Sequence, residues 1–166
     1  MIVRHEDLRG IREKHAKDKI AYSGGVFDLF HVGHLDLLEH LAGLGDIVVV
    51  GVTPDDRVMA RKGHRRPITP ERQRAKIIDA IKYVDYVFIA PSHTPNLKIR
   101  GHKMLKDLRP DYFVFGEEHP AWFQDEAWLN KQGTQLVAIP RFSKLVSTTQ
   151  IIERAAQSAM EPELHS

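Results

Sequence analysis

The chain has 166 residues, the size of one domain, and its 42% hydrophobic and 28% charged residues argue against a mainly disordered chain, while 11 glycines are too few for collagen. Twenty-four Lys and Arg against 22 Asp and Glu leave a net charge of +2, which announces neither a nucleic-acid nor a membrane partner. No cysteine is present, so disulfides, cysteine-based zinc sites and thiol nucleophiles are excluded together.

The opening segment, residues 1–19, is charged and lacks the apolar stretch of a signal peptide, and it is expected to form a helix ahead of the first strand. Short β-rich runs follow at Ile20–Tyr22, Ile47–Val52, Val84–Ile89, Tyr112–Phe115 and Leu136–Ile139, each short enough for a buried strand. Helical patterns fall between them. Leu35, Leu38, Leu41 and Ala42 share one face of the first. Ala75, Ile77, Ile78 and Ile81 mark the second, with Thr69 as its N-cap and Pro70 in its first turn. Leu97, Ile99 and Leu105 suggest a third that stops before Arg109-Pro110; Ile151, Ile152 and Ala155 suggest a last one, opened by Ser147-Thr148-Thr149. Strands alternating with helices imply right-handed crossovers. The predicted fold is therefore α/β, a Rossmann-like parallel five-stranded sheet with helices on both faces. It is expected to form a single domain over 1–166, with a loose tail over 161–166. No apolar run approaches the roughly 20 residues of a membrane span, so the predicted setting is the cytoplasm.

The first strand runs into Ser23-Gly24-Gly25-Val26-Phe27-Asp28-Leu29-Phe30-His31-Val32-Gly33-His34. In an open parallel sheet, ligands bind beyond the carboxyl ends of the strands. Gly24 and Gly25 let backbone approach a ligand, and Gly33 leaves room beside a helix start whose unpaired N–H groups favour an anion. His31 and His34, three apart, can face one phosphate. A structural pair is the bland alternative, and zinc a third, without cysteine or an evident third ligand. A basic cluster, Arg61-Lys62-Gly63-His64-Arg65-Arg66, follows the second strand and is expected to be a loop at the same edge of the sheet.

Gly25 to His34 resembles the signature of the cytidylyltransferase-like nucleotidyltransferases, a superfamily that includes heptose-phosphate adenylyltransferases and glycerol-phosphate cytidylyltransferases. Lys62 and Arg74 stand where that family carries a triphosphate-contacting loop lysine and a helix-borne arginine. Ile81-Lys82-Tyr83-Val84-Asp85 is similar to its arginine-tyrosine-valine-aspartate stretch, with lysine for arginine. Val146 to Ile152 resembles its third motif, and the strand ending in Gly116-Glu117 resembles the one near the base or acceptor.

The resemblance implies attack by an acceptor phosphate on the α-phosphorus of ATP or CTP, with release of pyrophosphate. His31, His34 and Lys62 would be catalytic. Gly25, Val26 and Phe27 would form the backbone floor, with Gly33 binding at the helix start, Ser147, Thr148 and Thr149 would hold the leaving group, and Gly116 and Glu117 would lie near the base or acceptor. Asp28 would orient a neighbour or assist Mg²⁺, carried mainly by the phosphates, and Arg74 would bind phosphate or buttress the loop of Lys62. The acceptor would be a small phosphorylated sugar or polyol. Phe142-Ser143-Lys144-Leu145 replaces the arginine-threonine-glutamate-glycine run of glycerol-phosphate cytidylyltransferases, which tilts the nucleotide toward ATP. A homodimer, as in many relatives, is compatible with this pattern without being shown by it. A non-catalytic nucleotide-binding regulator or sensor with the same fold is the alternative function.

Overall fold

A computed structural model describes residues 1–92, 97–116, 126–139 and 147–160, with the backbone alone over 97–102 and at 160. The strands are β1 (Ile2–Val3), β2 (Ile20–Gly25), β3 (Ile47–Val52), β4 (Tyr86–Ile89), β5 (Tyr112–Gly116) and β6 (Gln135–Ile139). The helices are α1 (Leu8–Lys14), α2 (Val32–Leu44), α3 (Asp55–Lys62), α4 (Glu71–Asp79), α5 (Leu97–Leu108), α6 (Glu126–Lys131) and α7 (Thr148–Met160). A single 3₁₀ turn, His5–Asp7, leads into α1.

All strand pairs are parallel, in the order β1-β4-β3-β2-β5-β6. The sheet thus has six strands where five were expected. The extra strand, β1, is two residues that pair with Val87 and Phe88 of β4, too short to leave a periodic signal. The expected N-terminal helix is accordingly shorter, reduced to α1 behind that strand and the 3₁₀ turn.

Alternation along the strands builds two cores. Ile20, Tyr22, Val49, Phe88 and Phe113 face α1, α5 and α6, packing on Leu8, Ile11, Leu105, Leu108 and Leu129. Ala21, Val48, Val50, Val87 and Val114 face α2 and α4, packing on Leu38, Leu41, Ala75 and Ile78. Strands covered on both faces need continuous apolar runs, which is why Ile47–Val52 reads as one. Among the described residues no helix is long and apolar enough to cross a membrane.

The strand order reverses between β2 and β5, and pairing there is uneven. β2 pairs with β3 over all six of its residues, whereas it meets β5 only through Ala21–Tyr112 and Tyr22–Phe113. Beyond Tyr22 the two strands part toward their carboxyl ends, Gly25 and Gly116. A crevice at such a reversal is where a doubly wound sheet places its ligand.

At the opposite edge Asp111 ties the elements together. Its carboxylate accepts from the backbone N–H of Ile20 at 2.9 Å, from Arg12 at 3.2 Å and from Lys19 at 2.9 Å. Burial alone would raise the Asp111 pKa, but Lys19, the Ile20 N–H and Arg12 outweigh it and hold the carboxyl below its ordinary value. A carboxyl depressed on folding adds stability that is present above its unfolded pKa of about 3.9 and is lost as the pH falls through the lower folded value. Asp111→Ala should therefore cost about 2–3 kcal/mol at neutral pH, read by urea unfolding, with the deficit shrinking in acid below pH ~4.

Candidate active site

The turn between β2 and α2 starts at Gly25, whose carbonyl accepts from the N–H of Thr53 at 2.8 Å. The Val26 carbonyl accepts from Arg74 at 2.5 Å, and the Asp28 carbonyl accepts from the Thr148 hydroxyl at 2.9 Å. With these oxygens drawn inward, the N–H groups on the far side of the same trans peptides, those of Val26, Phe27 and Leu29, turn outward. Phe27 and Leu29 adopt positive φ of 54° and 45°, an uncommon conformation for side chains of that size. A turn held in such a shape is one the surroundings over-determine, as at ligand clamps.

His31 occupies the N-cap position of α2 with extended backbone. Its carbonyl accepts from the N–H groups of His34 and Leu35, at 2.9 and 3.2 Å. The N–H groups of Val32 and Gly33 belong to the unpaired first turn, at the positive end of the helix. The His34 ring stacks on His31 at 3.8 Å between centroids, meets Phe27 edge-on at 5.2 Å and packs tilted against Phe30 at 5.5 Å.

Burial in that aromatic nest, with the nearby His31 and Lys62, drives the His34 pKa down to about 3, Asp28 opposing. His34 is thus neutral at pH 7. Its Nδ1 accepts from the His31 backbone N–H at 3.4 Å, so the proton sits on Nε2, which becomes the donor. The sign for stability follows. Between pH ~6.5 and about 3 the unfolded chain binds the proton that folded His34 refuses, so stability is full above that window and is lost as the pH falls through it. His34→Asn should flatten this part of a pH–stability profile measured by thermal melting.

The basic cluster was expected in a loop. Lys62 instead ends α3, and Gly63 follows with φ 87°, its N–H returning to the Met59 carbonyl at 2.9 Å. Charge placement explains the helix: Asp55 and Asp56 open it, Arg61 and Lys62 close it. Lys62 is exposed, yet partial desolvation and the charges of Arg61 and Arg66 pull its ammonium below the ordinary lysine value, with Asp28 opposing.

Asp28 joins the pieces. It is 1% exposed, and its carboxylate accepts from the N–H groups of Ile68 (3.1 and 3.0 Å) and Thr69 (2.9 Å). Arg66 Nε lies 3.3 Å away. Of the two roles expected for Asp28, orienting neighbours is the one these contacts describe, since both oxygens are committed to protein donors.

Arg74 is equally committed. At 1% exposure it donates to the carbonyls of Thr69, Val26 and Thr53 and pairs with Asp55. Asp55 and Glu71 complete the staple, each carboxylate accepting the other's backbone N–H at 2.7 and 3.1 Å. These contacts make Arg74 a buttress between the turn after β2, the start of α3 and the start of α4. Asp55 and Glu71 went unremarked in the sequence; as acids at helix starts they were visible as capping residues. The expected α4 begins one residue later than its signals suggest, with Pro70 itself in the N-cap position.

In α7, Ser147 caps the helix, its hydroxyl accepting the Gln150 N–H at 3.2 Å and its carbonyl the Ile151 N–H at 3.0 Å. The Thr148 hydroxyl is spent on Asp28, while Thr149 is exposed in the first turn. The N–H groups of Thr148 and Thr149 remain at the free end of that helix. Gly116 ends β5, where a Cβ would meet nothing within 4 Å. Glu117 and Phe142 to Leu145 lie outside the described residues. Asp85 accepts from the Val48 N–H at 2.8 Å, a strand-anchoring role.

The two-histidine turn, the cationic segment and the start of α7 thus all touch Asp28, at the carboxyl edge of the sheet and beside its reversal point. Donors gathered in that way around a parallel sheet are the layout of an α/β nucleotidyltransferase. Residues 22–154 match the cytidylyltransferase-like family, and the chain is a nucleotidyltransferase belonging to it. That span contains every motif quoted from the sequence, from Gly25 to Ile152.

The bifunctional protein HldE of Streptomyces coelicolor is 36% identical over 150 residues, 90% of this chain and 30% of that protein. HldE of Helicobacter pylori strain Shi470 is 32% identical over 141 residues, 85% of this chain and 28% of that protein. The chain therefore spans about 30% of the length of these curated relatives. Among solved structures, a lipopolysaccharide core biosynthesis protein from Thermoplasma volcanium superposes with a TM-score of 0.61 at 28% identity, covering 76% of this chain and 99% of that one.

Proposed function

We propose that the chain transfers a nucleoside monophosphate from a nucleoside triphosphate, ATP in preference to CTP, to the phosphate of a small phosphorylated sugar or polyol. The observation that carries this reading is the meeting of three donor-bearing segments on Asp28. The resemblance to heptose-phosphate adenylyltransferases and the likeness to a lipopolysaccharide core biosynthesis protein support a sugar phosphate as acceptor. The lack of cysteine suits a reducing cytoplasm.

An acceptor phosphate is already largely ionised at pH 7, its second pKa being about 6, so no strong general base is needed. One of its oxygens bonds to the α-phosphorus while the bond from that phosphorus to the bridging oxygen breaks, and pyrophosphate leaves with the electron pair. Catalysis then consists of alignment and charge stabilisation. Neutral His34 donates from Nε2 to a phosphate oxygen, Lys62 adds a full charge, and His31 lies against His34 at the same helix start. The open N–H groups of Val32, Gly33, Thr148 and Thr149 receive the remaining oxygens.

Asp28 is poorly placed to hold Mg²⁺, being 1% exposed and engaged with Ile68, Thr69 and Arg66, and among the described residues no group of three ligands gathers. The metal we propose is accordingly bound by the nucleotide's own phosphates and water, as Mg²⁺ commonly is.

Pyrophosphate release, measured with each nucleoside triphosphate against a panel of sugar and polyol phosphates, tests the proposal. Release with one pair well above the rest is the expected result. Nucleotide binding without release for every pair would favour the regulator or sensor instead.

A further inference from the structure

Arg66 stands apart from its basic neighbours. Arg61, His64 and Arg65 are exposed to solvent, whereas the Arg66 side chain is only 13% exposed. Its backbone is fixed by a turn in which the Arg66 N–H donates to the Gly63 carbonyl at 3.1 Å. Its guanidinium is drawn inward by Asp28, the one ion-pair partner recorded for it among the described residues.

The pairing is incomplete in hydrogen bonds. Asp28 already accepts from Ile68 and Thr69, and Arg66 Nε, shielded from water at 3.3 Å from Asp28 Oδ2, has no hydrogen-bond partner. Charge therefore holds the guanidinium in place while its Nε donor remains unsaturated, an arrangement that an external acceptor completes. The local balance points the same way: Lys62 feels the positive charges of Arg61 and Arg66 against the single carboxylate of Asp28. A planar guanidinium held at its inner edge presents a fork to the outside that matches two oxygens of one phosphate group.

We infer that Arg66, pre-positioned by Asp28, is a phosphate-binding residue of this site, its fork taking a phosphate group of either the nucleotide or the acceptor. The inference rests on the proposed function for its setting and extends it to a residue to which the sequence reading assigned no role in the site.

The test uses the full chain with Arg66→Lys, which keeps the charge and loses the fork, and Arg66→Gln, which loses both. KM for each substrate, kcat, melting temperature, and the calorimetric affinities for inorganic pyrophosphate and inorganic phosphate would be measured. Expected is a rise of about tenfold or more in one KM, or a matching loss of affinity for one of the two anions, with Arg66→Lys melting near wild type. A rise in the nucleotide KM with weakened pyrophosphate binding assigns the fork to the donor; a rise in the acceptor KM with weakened phosphate binding assigns it to the acceptor. Unchanged KM values and anion affinities in both variants overturn the inference, as does a loss of melting temperature alone. If the wild type releases no pyrophosphate with any pair, the proposed function fails, and the two anion titrations still decide Arg66: wild-type binding that the variants weaken upholds it, and no wild-type binding of either anion overturns it.

Discussion

Replacing His34 with alanine is expected to lower turnover by about 10²-fold or more while leaving the chain folded. The argument is one of position and protonation together. Burial keeps the imidazole neutral, and the bond to its Nδ1 leaves Nε2–H as the donor, so the group needs no proton rearrangement when charge grows on phosphate. A loss of that size corresponds to about 2.7 kcal/mol of barrier, the range associated with removing one pre-aimed donor. Single-turnover kinetics on a variant whose circular dichroism and melting curve resemble wild type would check it. Near-normal turnover would remove His34 from the chemistry and return it to the role of a packed aromatic beside Phe27 and Phe30.

Arg74→Ala should have the largest effect on stability, roughly 3–5 kcal/mol, because it strips the partner from Asp55 and leaves the carbonyls of Val26, Thr53 and Thr69 without their donor. For a domain of this size that is a fall in melting temperature on the order of 10 °C. Arg74→Lys should recover little, since one ammonium cannot reach acceptors that a planar fork spans. Urea unfolding reads the difference directly, and a change below about 1 kcal/mol would show that the staple is dispensable.

Much of this organisation was legible in the sequence, for identifiable reasons. The turn from Gly25 to His34 packs glycine, acid and imidazole types into ten positions after an apolar run, and few arrangements other than an anion-binding strand–turn–helix need them all. β3 announced itself because it buries a continuous run; of the face expected for α2, Leu38 and Leu41 are buried and Leu35 partly so, while Ala42 is exposed. β1 was too short to carry a period, and α3 buries only Val58, so its apolar pattern was silent. Its acidic start, basic end and following glycine were the usable signal, and reading them would have put Lys62 on a helix end instead of a loop. α6 buries Leu129 alone and was missed for the same reason as α3.

The roles of Arg74 and Asp28 could not be read from residue type, because a charged side chain in a helix or turn is more often solvated. The clue was placement. Arg74, Ala75 and Ile78 form the buried residues of α4, so the arginine shares the apolar stripe and had to find partners inside. Nothing comparable marks the Thr148 hydroxyl, whose bond to Asp28 joins residues 120 positions apart and depends on tertiary placement alone.

The short ladder between β2 and β5 has a mechanical consequence. Four strands stand on one side of that seam and two on the other, and only two register pairs stitch them. Relative sliding or tilting of these two blocks would break fewer backbone bonds there than at the β2–β3 or β5–β6 boundaries, which pair over six and five residues. Apart from the margin made by the two-residue β1, the most lightly stitched boundary of the sheet therefore runs directly beneath the place where substrates must enter and product must depart.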